Sequence, residues 1–171
     1  MATYYGYSDG SACPRGGGWA FTVSPDSPPD IGPWDSLRAV CFGGGGAVGM
    51  KLGEAEISPL CEGLCLVRIM SAAGRGLRQG DSLLWTVDSE FVALVYSGTY
   101  KAKKYPELWS RIFKARGQLE TMGIGFDVVH SLRNLCPGQI WVDEHAGFNR
   151  RMALDHGPFS DVTWRFLHPI A

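Results

Sequence analysis

The first part of the chain alternates apolar residues with small or polar ones at a period of two. This pattern predicts strands over residues 3–8, 17–24 and 37–42, because alternate side chains of a strand point to opposite faces. Four prolines place residues 25–36 in a loop, and the glycine run at residues 43–46 is interpreted as a flexible loop that ends the third strand. Three successive strands of this kind predict an antiparallel meander.

Apolar residues then recur at intervals of three and four, which indicates an amphipathic helix over about residues 57–70. Pro59 is expected in its first turn, where a missing N–H does no harm. The later elements are a strand, two helices, a strand and a helix, at residues 83–87, 89–96, 106–119, 124–129 and 138–154. The wholly apolar fourth strand indicates a central position covered on both faces. The order predicts an α/β domain with a five-stranded mixed sheet, three antiparallel strands followed by parallel ones, flanked by helices.

Length and composition fit one globular domain. The chain has 171 residues, of which 45% are hydrophobic and 19% charged. We expect a domain over residues 1–155 and a tail over residues 156–171 that packs back on it, and we expect a monomer. The formal net charge of −1 gives no support to nucleic-acid binding. It does not exclude such binding, because bound metal ions would offset an acidic site.

The cysteines predict where the protein works. There are five, with no CxxC pair: Cys13, Cys41, Cys61, Cys65 and Cys136. No partners with zinc-ligand spacing accompany them, so buried reduced thiols are the expected state. This favours the cytoplasm or another reducing intracellular compartment. No secretion signal is evident, and no apolar run approaches the roughly 20 residues needed to cross a bilayer.

Four acidic residues fall at the boundaries of predicted elements. Asp9 and Asp88 follow the first and fourth strands, Glu56 begins the first long helix, and Asp143 lies in the last helix. Ligands of open α/β sheets bind at the carboxyl ends of strands, so Asp9 and Asp88 converge if their strands are neighbours. Taken singly, each acid is more often a solvated residue or a helix cap. Gathered together, they repel one another unless a hard cation such as Mg²⁺ or Mn²⁺ binds between them.

The words around these acids resemble those of the type 1 ribonuclease H family. Four segments carry the resemblance. Residues 7–20 contain an Asp-Gly-Ser hairpin, and residues 55–64 contain an Ala-Glu helix start. Residues 86–92 contain a Val-Asp-Ser strand end, and residues 137–146 contain a Gly…Asp…Ala helix. The resemblance implies the ribonuclease H-like fold and metal-binding roles for Asp9, Glu56, Asp88 and Asp143. It further implies two Mg²⁺ ions, with Mn²⁺ possible, and cleavage of the RNA strand of an RNA–DNA hybrid to leave 5′-phosphate and 3′-hydroxyl ends.

Two placements within the resemblance have rivals. Glu62 competes with Glu56, but six residues of helix separate their directions by about 240°, so both cannot face one site. The family's active-site histidine is assigned to His130 at the end of the fifth strand. In the rival reading His145 takes this role, residues 139–144 form the fifth strand, and the fourth acid falls near Asp155.

Expected substrate contacts are Gly10, Ser11, Arg15, Lys51 and Ser89. The chain also departs from the family, which carries asparagines where residues 51–54 read Lys-Leu-Gly-Glu and often a Gln where Glu90 stands. The family's basic helical protrusion is reduced to the lysines of residues 101–104. These departures bear on hybrid preference more than on the metal site. They leave open a nuclease for another nucleic acid, or a binding and scaffolding module without catalysis.

Overall fold

A computed structural model describes residues 1–25, 39–131 and 137–165 of the chain. Most of the predicted proline-rich loop, the first two residues of the predicted third strand and Cys136 lie outside these ranges. The elements, in chain order, are β1 (Thr3–Cys13), β2 (Gly16–Ser24), β3 (Cys41–Val48), α1 (Leu52–Ala72), β4 (Ser82–Val87), α2 (Glu90–Tyr96), α3 (Pro106–Thr121), β5 (Gly125–His130), α4 (Pro137–His156) and β6 (Phe159–Trp164).

The strands form one sheet in the order β5-β4-β1-β2-β3-β6. β1, β2, β3 and β6 pair antiparallel, whereas β4 pairs parallel with both β1 and β5. The α/β fold with a mixed sheet is thereby confirmed, with six strands where the sequence predicted five. The added strand, β6, lies within the segment expected to be a tail, and it pairs with the edge of β3.

Helices cover the two faces of the sheet. α1 packs on one face, where the main core gathers the largest fully buried side chains, among them Trp85, Phe21 and Trp109. α4 packs on the other face over a smaller cluster formed by Tyr7, Ala20, Val142 and Ala146. β4 buries one face fully and the other only partly, so the expectation of complete cover on both faces is not met.

The glycine run at residues 43–46 is strand, and the prediction of a flexible loop was wrong. All four glycines pair with β2 on one side and β6 on the other. Neighbouring atoms fill the space where side chains would stand: a Cβ on Gly44 would overlap the Asn149 amide of α4, and one on Gly46 would come 2.9 Å from Ala153 Cβ. Glycine is needed here for close packing and not for a turn.

Two further local predictions need correction. Helix α1 begins at Leu52, so Pro59 lies inside the helix and not in its first turn. Of the four described cysteines, all are free thiols, but only Cys41 and Cys61 are buried, while Cys13 and Cys65 are partly exposed. No helix in the described part of the chain is long and apolar enough to cross a membrane.

Candidate active site

Strand pairing places Asp9 beside Asp88. β1 and β4 run parallel, and their last paired residues are Ser8 and Val87, so these two acids are the next residues on neighbouring strands. The sequence placed Asp9 at the end of its strand, but β1 continues to Cys13 through its pairing with β2. The pairing of β1 with β4 ends at Ser8, so the carboxyl groups of Asp9 and Asp88 still lie together where the two strands separate.

Helix α4 brings Asp143 to the same place. Its Gln139 Nε2 donates to the Ser8 carbonyl oxygen at 3.2 Å, and its Arg150 Nη1 donates to Ser11 Oγ at 2.9 Å. Asp143 lies between these two anchors, four residues after Gln139 and seven before Arg150, so all three occupy one side of the helix. The Asp143 carboxyl group comes close enough to Asp9, which lies between Ser8 and Ser11 on β1, to raise the pKa of Asp9.

The Asp9 carboxyl group is buried among like charges. It is 3% exposed, its Oδ1 accepts the Gly10 N–H at 2.8 Å, and its Oδ2 is buried without a hydrogen-bond partner. Burial raises the pKa of Asp9 to about 9, and the charge of Asp88 and the neighbouring carboxyl groups of Asp143 and Asp88 raise it further. Without a cation, Asp9 therefore holds a proton at neutral pH.

Gly10 brings the helix that carries Glu56 against β1. A Cβ at Gly10 would overlap the Ala55 carbonyl group and come 2.5 Å from Glu56 N, so the backbones of α1 and β1 touch directly. Glu56 is partly exposed. Its backbone touches Gly10, which is the residue after Asp9. Its rival Glu62 instead forms an ion pair with Arg111 of α3, with Oε1 and Nη1 3.1 Å apart.

The two histidines have separate surroundings. His130 pairs with Val87 across β5 and β4, and its exposed Nε2 lies 3.2 Å from the Asp88 carbonyl oxygen. Because a carbonyl oxygen only accepts, Nε2 carries the proton of this hydrogen bond. His145 stacks on Trp141, with ring centroids 3.7 Å apart. Residues 139–144 are helical and β5 ends at His130, so the rival assignment of the fifth strand fails.

The expected substrate contacts fall into two groups. Ser11 accepts from Arg150 next to the acids, and Ser89 caps α2, its Oγ accepting the Val92 N–H at 3.2 Å. Gly10 serves the close approach of α1. Arg15 and Lys51 are exposed around the β1–β2 hairpin, where the Gly49 N–H donates to the Arg15 carbonyl oxygen at 2.9 Å.

Sequence reasoning missed Gln139 and Arg150. Gln139 is fully buried, and its Oε1 has no hydrogen-bond partner. The available signal was spacing: positions four before and seven after Asp143 share its helical face. The sequence treated each acid through its neighbouring residues in the chain, so the rest of the helix face was not considered.

The carboxyl groups do not form a ready metal cage. Within residues 1–25, 39–131 and 137–165, no three His, Cys, Asp or Glu side chains are arranged to hold an ion as they stand. A cavity of about 300 Å³ lies on the other flank of α4, lined in part by Trp141, His145 and Asn149, and it includes none of the four acids. This cavity is therefore separate from the cluster of Asp9, Asp88 and Asp143.

No protein-family model matches the chain, and no curated protein is significantly similar to it. Solved structures are similar. The N-terminal RNase H domain of a Mycobacterium tuberculosis protein, fused to maltose-binding protein, matches with a TM-score of 0.61 at 18% identity, covering 91% of this chain and 98% of that one. LC11-RNase H1, isolated from compost and solved with an RNA/DNA hybrid, matches with a TM-score of 0.61 at 17% identity, covering 88% and 99%. RNase H1 of Halobacterium salinarum matches at 0.55 and 20% identity, covering 90% and 98%. The chain has the ribonuclease H-like fold.

Proposed function

We propose that the protein is a metal-dependent endonuclease that cuts the RNA strand of RNA–DNA hybrids and leaves 5′-phosphate and 3′-hydroxyl ends. The observation that carries this proposal is the buried carboxyl group of Asp9 between Asp88 and Asp143, at the edge where β1 and β4 part. A buried carboxyl group with two acidic neighbours and an unpartnered oxygen is costly for a fold that does not use it.

The donor set fits hard divalent cations. Carboxylate oxygens are the ligands that Mg²⁺ and Mn²⁺ prefer, and the unpartnered Asp9 Oδ2 is a donor of this kind. Asp9, Glu56, Asp88 and Asp143 would hold two Mg²⁺ ions, or Mn²⁺ in their place. When bound, such a pair supplies an activated water for in-line attack on a phosphodiester and stabilises the departing 3′-oxygen.

The chain's own residues have distinct tasks around this group. Asp9, at 3% exposure, keeps water from the inner side of the cluster, while Asp88 and Asp143 are partly exposed toward substrate. His130 stands in solvent beside Asp88. Its Nε2 is engaged with the Asp88 carbonyl oxygen, so Nδ1 is the atom that would exchange a proton with the product or with water.

Hybrid preference is the finer part of the proposal. One structural neighbour, LC11-RNase H1, was solved in complex with an RNA/DNA hybrid. The replacement of the family's asparagines by Lys-Leu-Gly-Glu at residues 51–54 alters a place where the family reads RNA. The 2′-hydroxyl group distinguishes the two strands of a hybrid, so a substrate series tests this point directly.

The first experiment is cleavage of an end-labelled RNA–DNA hybrid with Mg²⁺, with Mn²⁺ and with chelator. Duplex DNA, duplex RNA and single strands run in parallel. We expect metal-dependent cutting of the RNA strand of the hybrid alone. Cutting of another substrate would support the proposed nuclease activity and would contradict the proposed preference for hybrids. A folded protein that cuts nothing with either metal would leave only the binding and scaffolding module.

Variants of three acids sharpen the test. Asp88→Asn and Asp143→Asn should each remove nearly all cleavage while the fold persists, because each deletes one carboxylate of the group. The matched control is Asp155→Asn, since Asp155 is an exposed acid on the same helix as Asp143. We expect it to cut like the wild type. Substantial activity in Asp88→Asn would contradict the assignment of Asp88.

A further inference from the structure

We propose that Arg150 binds a phosphate of the cleaved strand next to the one that the carboxyl group engages. This inference rests on the proposed function and adds a substrate-binding residue to it. Arg150 and Gln139 of α4 both hydrogen-bond to the β1 segment around Asp9. Arg150 is the charged one of the two, and its sign is that required for a phosphodiester.

The position of Arg150 is fixed by its backbone as well as its side chain. A Cβ on Gly18 would overlap Arg150 N, so helix and strand are in direct contact there. Gly18 is the β2 partner of Ser11, and Ser11 Oγ accepts the Arg150 Nη1–H at 2.9 Å. Backbone and guanidinium group therefore both meet the Ser11–Gly18 pair, which restrains a side chain that would otherwise sample many rotamers.

Two independent spacings relate Arg150 to the acids. Ser11 lies two residues after Asp9, on the same face of β1 and about 6.8 Å farther along. Arg150 lies seven residues after Asp143, about two turns and roughly 10 Å along the same side of α4. Along both β1 and α4, the positive charge of Arg150 thus lies about 7–10 Å beyond the carboxyl groups. A nucleic-acid strand whose phosphate lies at the acids continues past this point.

The surroundings of Arg150 suit phosphate binding. Its side chain is partly exposed, and Ser11 takes only one of the five N–H donors of a guanidinium group. The pKa of the nearby Cys13 thiol is lowered, chiefly by the backbone N–H of Arg15, and the charges of Arg150 and Arg15 act in the same direction. Two cations therefore act near Cys13, at the end of β1 that follows Asp9 and Ser11. Arginine and phosphate match as a two-pronged pair, which favours this residue type.

Binding and cleavage of the hybrid test the proposal separately. Binding is measured in chelator at several salt concentrations, and steady-state cleavage in Mg²⁺. We expect Arg150→Ala to weaken binding and raise KM by roughly tenfold, to lower the salt dependence by about one phosphate contact, and to change kcat less than about twofold. Arg151→Ala removes the same charge from the next, exposed residue, and should change affinity and salt dependence little.

Further variants separate a phosphate contact from a structural role. Arg150→Lys keeps the charge and should keep the salt dependence while losing part of the affinity. Ser11→Ala removes the hydrogen bond but not the charge, so the salt dependence should again persist. Arg150→Gln replaces the alanine variant if that one fails to fold. If Arg150→Ala or Arg150→Gln binds the hybrid with the affinity and salt dependence of Arg151→Ala, the proposal is overturned. Failure of the proposed function would instead appear as a wild type that cuts no substrate.

Discussion

Replacing Asp9 by Asn should stabilise the metal-free protein at neutral pH while it abolishes cleavage. The pKa of Asp9 is raised to about 9 in the folded protein, against about 3.9 in an unfolded chain. Between these values the folded protein holds a proton that the unfolded chain has released. The free energy of unfolding therefore falls as pH rises from about 4 to about 9, by up to about 1.4 kcal/mol per pH unit.

The expected magnitude follows from that slope. From pH 4 to pH 7 the wild type should lose up to about 4 kcal/mol relative to Asp9→Asn, because the amide cannot ionise. For a chain of this size the difference corresponds to a Tm higher by about 10 °C in the variant. Divalent cation should narrow this difference: at a hundredfold excess over Kd it stabilises the wild type by about 2.7 kcal/mol, and it should do little for the variant.

The assay is denaturant unfolding of both proteins from pH 4 to pH 9, in chelator and again in Mg²⁺. Only the difference between the two proteins is compared, so other titrating groups cancel. Asp155→Asn serves as the control and should follow the wild type in both conditions. The reasoning is refuted if Asp9→Asn is no more stable than the wild type at pH 8 in chelator, because the buried carboxyl group would then carry no electrostatic cost.

Three further predictions concern the other site residues. Glu56→Gln should remove most Mg²⁺-dependent cleavage. Glu62→Gln should not, since Glu62 forms an ion pair with Arg111 of α3. Equal loss of cleavage in single-turnover assays of the two variants would contradict the assignment of Glu56. His130→Ala should slow multiple turnover, whereas His145→Ala should not, because His130 lies beside Asp88 and His145 stacks on Trp141; steady-state rates of the two variants will show this. Gly10→Ala should destabilise the fold by about 1–3 kcal/mol through overlap with the α1 backbone, and denaturant unfolding would contradict this with an unchanged midpoint.

The fold was largely predictable because its elements carry clear periods. Strands β1 and β2 and helices α3 and α4 show them, and the order of elements left few topologies. Strand β6 escaped because it is a short edge strand with five exposed residues of six, so no buried face marks it. The glycine strand escaped because glycine is the residue that usually interrupts strands. Tertiary contacts explain its presence there: α4 approaches Gly44 and Gly46, and aromatic side chains of β2 and atoms of β6 approach Gly43 and Gly45.

The proximity of three of the predicted acids followed from the sequence, but their detailed geometry did not, and their roles stay a prediction. Short words around Asp9, Asp88 and Asp143 identified the acids, and the structure gathers these three. The sequence did not reveal that β1 runs on past Asp9, since strand length there depends on pairing with β2. It also did not reveal Gln139 and Arg150, whose significance depends on which side of α4 faces β1.

The glycines of β2 and β3 that face α4 determine how the protein tolerates substitution. Gly18, Gly44 and Gly46 set the height of the helix above the sheet, and α4 in turn sets where Asp143 stands relative to Asp9. A methyl group on Gly18 would overlap the Arg150 backbone and one on Gly46 would press on Ala153, so either would displace α4 and separate the two carboxyl groups. One on Gly44 would displace the Asn149 amide from its hydrogen bond to the Trp19 carbonyl oxygen. In a saturation mutagenesis screen for activity, these glycines should therefore score as intolerant as the acids, although they touch neither metal nor nucleic acid. The intolerant positions in such a screen would therefore include the contact between α4 and the sheet as well as the candidate active site.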